Sequence, residues 1–135
     1  MNKILIIIIL FFTQQIYSQT QREMNENAKT DFVQSDNKLN SNYKLILTEY
    51  ELDTTFIKNL KIAQRIWIKF RDAEVEMKYP TSNKSEYGSV FPMCRWIYLT
   101  NLTEIRIQKL NEWIIGIEEE EEEEDVCKGS TKQKE

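Results

Sequence analysis

Apolar side chains recur at steps of three and four over most of this chain, and that spacing sets the elements to expect. Met24, Ala28, Phe32, Leu39, Tyr43, Leu47 and Tyr50 trace one face of an amphipathic helix through Gln21–Tyr50. Asp53, Thr54 and Thr55 then offer cap chemistry for a second helix. Its apolar positions are Phe56, Leu60, Ala63, Trp67, Phe70 and Met77, and it should stop before Pro80, which disfavours helical backbone at Tyr79. Residues 80–89 are polar, contain Pro80 and Gly88, and read as a loop. Ser89 is placed to cap a third helix, with Pro92 in its first turn, where a missing N–H costs nothing. Met93, Trp96, Leu99, Leu102, Ile105, Leu110, Trp113 and Ile117 carry that helix onward. No alternation of strand type competes. The pattern predicts a mainly α fold: a small antiparallel bundle of about three helices with an irregular, acidic C-terminal tail.

The first eighteen residues do not fit a packed helix. Lys3 precedes an unbroken apolar run, Ile4 to Phe12, followed by Thr-Gln-Gln and the small Ser18. This is the order of a secretory signal, and the run is far short of the ~20 residues that span a bilayer. The expected division is a signal peptide at 1–18, a helical domain at 19–117 and a mostly flexible acidic tail at 118–135. The expected location is the periplasm or the exterior of a bacterial cell. No cysteine for lipid attachment follows the run and no later segment is apolar enough to span, so no membrane anchor is expected after signal removal.

Composition narrows the chemistry. Among 135 residues there is no histidine, with only three glycines and two prolines. Imidazole zinc sites, Ser-His and Cys-His nucleophilic pairs and glycine-rich phosphate loops are therefore excluded, and no cofactor is expected. The net charge of −4 is unevenly placed. Residues 19–117 carry fourteen basic and thirteen acidic side chains, whereas Glu118, Glu119, Glu120, Glu121, Glu122, Glu123, Glu124 and Asp125 form one anionic block. Like charges at i,i+4 oppose a helix there. The block reads as a solubilising tail, as a device that steers the chain towards a cationic partner, or as a loose calcium binder. No basic patch suggests a nucleic acid.

The segment AQRIWIKFRD, residues 63–72, is unusual for a helix that packs. Gln64, Trp67 and Arg71 share one face, and Arg65 and Asp72 form a second pair seven residues apart. Gln and Arg on a partly buried face need hydrogen-bond partners, for which Thr100 and Thr103, ahead of Arg106, are the candidates. The group reads as a network that fixes helix register or, since Arg and Trp dominate binding hot spots, as an interaction surface. A hydrolase using two carboxylates, such as Asp72 and Glu74, is a third class. Cys94 and Cys127 are an even pair in an oxidising compartment, which points either to a disulfide closing 32 residues and stabilising by roughly 4 kcal/mol or to a buried free thiol at Cys94 with Cys127 in a loose tail. An α-helix unbroken to Ile117 would oppose that bond, so it calls for an earlier helix end or an acidic segment stretched back along the helix.

These segments together resemble the LprI-like lysozyme inhibitor family. Its pattern is matched by Met24, Asn25 and Ala28; by Asp36, Leu39, Asn40 and Tyr43; by Gln64, Arg65, Trp67, Arg71 and Asp72; and by Cys94, Leu102, Thr103 and Arg106. Asn27 and Val75 stand where the family often has cysteine, and the glutamate run is not part of its pattern. The resemblance implies a helical, non-catalytic envelope protein whose partner is a protein, a cationic lysozyme, blocked by surface occlusion. The alternative is a structural or interaction module of the cell envelope with another protein or a wall polymer as partner.

Overall fold

The computed structural model describes residues 2–116 and 129–131, with side chains described from Thr20 onward. Three long helices carry the chain: α1 (Asn2–Glu49), α2 (Thr54–Lys78) and α4 (Phe91–Asn111). A one-turn helix, α3 (Lys84–Tyr87), lies between α2 and α4. There is no strand among the described residues.

Helix α1 begins well before Gln21. It ends in a turn at Tyr50–Asp53, where Asp53 caps α2 by accepting from the Phe56 N–H at 2.9 Å. Contacts between helices give their directions. Asn25 reaches Ser89, Ser35 meets Glu104 and Asn42 meets Asn111, so α1 and α4 run parallel. Arg71 returns to Asp36 and Gln64 meets Arg106, so α2 is antiparallel to both. The closely packed unit is the α1/α4 pair; α2 stands further off, and long side chains bridge the gap. Leu39, Ile46, Leu60, Ile107 and Leu110 form the core, sealed at one end by Tyr50, Phe56 and Trp113. Each fully buried Leu or Ile contributes about 1.5–3 kcal/mol.

Several expectations are corrected. The interior face of α2 is Leu60, Gln64, Trp67, Arg71 and Val75, not the line through Ala63, Phe70 and Met77, which are exposed. Polar groups occupy interior positions there because partners on other helices satisfy them, and this rotates the helix away from its most apolar stripe. Ile105 also faces outward on α4, where Thr103, Ile107 and Leu110 take the interior positions. Ser89 does not cap α4, which starts at Phe91 with no side-chain cap. Residues 80–89 are largely helical turns joined at Gly88, whose φ of +62° suits glycine. Helix α4 ends at Asn111, short of Ile117. Trp113 and Ile114 pack against the core from the turn that follows rather than from the helix. Cys94 is a half-buried free thiol. Its expected partner Cys127 lies outside the described residues, as do Ile117 and the whole acidic block from Glu118 to Asp125.

Candidate functional site

Several of the family-like residues converge between α1, α2 and α4. Arg71 is the centre, with its side chain 11% exposed. Its Nη1 donates to Asp36 Oδ1 at 3.1 Å, and its Nε and Nη2 both approach Asp72 Oδ1 at 3.0 Å. Asp36 is held in turn by Asn40, whose Nδ2 donates to Oδ2 at 3.1 Å one helical turn later. The Arg71 guanidinium lies 5.2 Å from the Trp67 ring centroid and 5.6 Å from that of Phe32. Phe32 stacks on Trp96 of α4 at 5.3 Å. One arginine thus ties the middle of α2 to α1 and, through Phe32, reaches the α4 side.

Two turns earlier on α2, Arg106 Nε donates to Oε1 of the buried Gln64 at 3.1 Å, and its guanidinium sits 5.8 Å from the centroid of the same Trp67 ring that Arg71 approaches. Burial pushes the Arg106 guanidinium below its ordinary value. The expected partners of this polar group are corrected. Thr100 Oγ1 donates to its own helix at Trp96 O, and Thr103 Oγ1 is buried with no hydrogen-bond partner. Arg106 itself supplies what Gln64 needs. Arg65 is exposed, Asp72 pairs with Arg71 rather than with it, and Leu102 is half-buried on α4.

A second cluster, which the sequence reading missed, sits at the other end of α2. Glu76 accepts from the Thr81 N–H, the Thr81 hydroxyl and Arg95, and these lower its carboxyl, the Thr81 backbone contributing most. Arg95 also donates to Tyr79 O. Tyr79 meets Tyr87 and Tyr98 edge-on, and Lys78 Nζ lies 4.0 Å from the Tyr98 ring centroid. Partial burial, followed by the Glu74 carboxylate that accepts from its hydroxyl, raises the Tyr98 phenol. The legible signal was Pro80 next to Thr81, a turn four or five residues from an acid.

The carboxylates weighed for hydrolysis are both engaged, Asp72 with Arg71 and Glu74 with Tyr98. An open groove of about 370 Å³ between α1 and α4 is lined by Asp31, Gln34, Ser35, Lys38, Thr100 and Glu104, with Ser35 hydrogen-bonded to Glu104. Among the described residues no cluster of His, Cys, Asp and Glu is arranged to hold a metal ion.

A family model described as lysozyme inhibitor LprI matches residues 13–110, a span that takes in all of α2 and nearly all of α4. The chain belongs to this LprI family. Neither the curated proteins nor the solved structures yielded a match. Within the span matched to LprI, Asp36, Leu39 and Asn40 on α1, Gln64, Trp67 and Arg71 on α2 and Arg106 on α4 hold the helices together. Ala28 and Thr103 are buried beside them.

Proposed function

We propose that this chain is an exported, non-catalytic binding protein of the bacterial envelope that inhibits a lysozyme by covering its surface. The observation that carries this reading is the LprI family match across the helical body. Export is inferred from the order of residues 1–18, and the engagement of Asp72 and Glu74 supports a binding role over a glycosidase with a free acid and nucleophile. Residues 19–117 hold nearly equal numbers of acids and bases, so attraction to a cationic enzyme comes from Glu118–Asp125. Such steering speeds encounter more than it sets final affinity.

The test compares the full chain with a version ending at Ile117 in association kinetics with a cationic lysozyme, at low and physiological salt. Both should bind. The full chain should associate faster, with the difference shrinking as salt rises. Equal rates at all salt concentrations would leave the acidic block as a solubilising tail. No binding by either form to any lysozyme type would reject inhibition in favour of a different envelope partner.

A further inference from the structure

The outward surface of α2 is used neither by the core nor by the arginine network. Ile62, Ile66, Phe70 and Met77 follow one another along one flank, with exposures of 62% at Ile66, 53% at Phe70 and 70% at Met77. Beside them, Lys58, Lys61, Arg65 and Lys69 form an exposed basic row at helical spacing. Of the two acids on this side of the helix, Glu76 pairs with Arg95 and Asp72 shares Arg71 with Asp36, so four exposed cations stand against at most one uncompensated carboxylate. The face therefore combines an apolar flank of fifteen residues, about 22 Å of helix, with a net positive edge along its first half.

We propose that this face of α2 docks on an anionic lipid bilayer, with the helix axis lying in the interfacial plane. An anionic polymer would satisfy the cations and leave Ile66, Phe70 and Met77 in water. A second copy packed along the same stripe would bring Arg65 and Lys69 against their own like charges. A bilayer surface matches both halves: headgroups take the basic row, and the boundary with the acyl chains takes the apolar flank. The contact is peripheral, since no described helix is long and apolar enough to cross a membrane. It is independent of lysozyme inhibition, because a cationic enzyme would be repelled from this face.

The test is vesicle co-sedimentation of the full chain with phosphatidylcholine alone and with phosphatidylcholine mixed with phosphatidylglycerol. Binding should favour the anionic vesicles and weaken with salt. Replacing Lys61, Arg65 and Lys69 by Gln should lower partitioning about fivefold per cation removed. Ile66→Ser with Phe70→Ser should lower it at least tenfold. Both sets lie on exposed positions, and far-UV dichroism confirms the fold. Residues 1–18 are common to all variants, so the readout is the difference between variants. Phe70→Trp should shift its emission to the blue on anionic vesicles only. Equal binding to both vesicle types, or partitioning left unchanged by Ile66→Ser with Phe70→Ser, overturns the proposal. So does a dimer that Phe70→Ser dissolves in a chain with no preference for anionic vesicles.

Discussion

Removing Arg71 should cost more stability than any other polar substitution in the molecule, because three kinds of contact end on one side chain. Its ion pair with Asp36 joins helices 35 residues apart in sequence at 3.1 Å, with the arginine 11% and the carboxylate 36% exposed. That exposure screens the pair, so its coupling should be about 1–2 kcal/mol, above a surface pair and below a buried one. The two aromatic faces, at 5.2 and 5.6 Å, add about 0.5–1 kcal/mol each. With loss of stem packing, Arg71→Ala should destabilise by about 3 kcal/mol and Asp36→Asn by about 1–2 kcal/mol. Arg71→Lys should fall between them, since an ammonium cannot serve Asp36 and Asp72 in one plane while stacking on Trp67. The assay is urea unfolding followed by far-UV dichroism on the four members of the Asp36/Arg71 cycle, with unchanged m-values as the check on two-state behaviour. A loss below about 1 kcal/mol for Arg71→Ala, or single effects that add with no coupling, would show that Arg71 does not tie α2 to α1.

Thr103→Val should raise stability by about 1 kcal/mol, because the Thr103 hydroxyl is fully buried without a partner and valine keeps its shape; a lower urea midpoint would show that the hydroxyl is satisfied. Gln64→Leu should cost about 2 kcal/mol by stranding the half-buried Arg106, and adding Arg106→Met should recover much of it, read from the same unfolding curves. Glu76 has a native pKa below its ordinary value of 4.5, so its stabilising contribution is present above that value and fades as pH falls through the lowered native pKa. A carboxyl NMR titration should place its midpoint below 4.5, and Arg95→Gln should raise it only in part, since the Thr81 backbone remains. A midpoint at or above 4.5 would show that the cluster does not form.

The three long helices were legible because apolar spacing and Pro80 are local signals. Which face of α2 turns inward was not, because Gln64 and Arg71 earn interior positions only through Arg106 and Asp36, which are distant in sequence. Asp36 on its own looks like any surface acid, and only its Asn40 neighbour hints that it is held in place. The end of α4 was hidden for a related reason: Trp113 and Ile114 continue the apolar pattern while the backbone has already turned. The order of residues 80–89 depends on Glu76 and Arg95 meeting across 19 positions, which no local pattern reports. Gln64, Trp67 and Arg71 stood out as a face that needed partners, but the partners expected, Thr100 and Thr103, are not the ones used: Arg106 serves Gln64 and Asp36 serves Arg71.

The most direct measurement is a muramidase progress curve on cell-wall substrate with the purified full chain in excess, run against several lysozyme types. The rate should fall with added protein and saturate at a fixed stoichiometry for at least one type, with no wall hydrolysis by the chain itself. Undiminished lysis for every type, or release of wall fragments by the chain alone, would contradict inhibition by a non-catalytic chain.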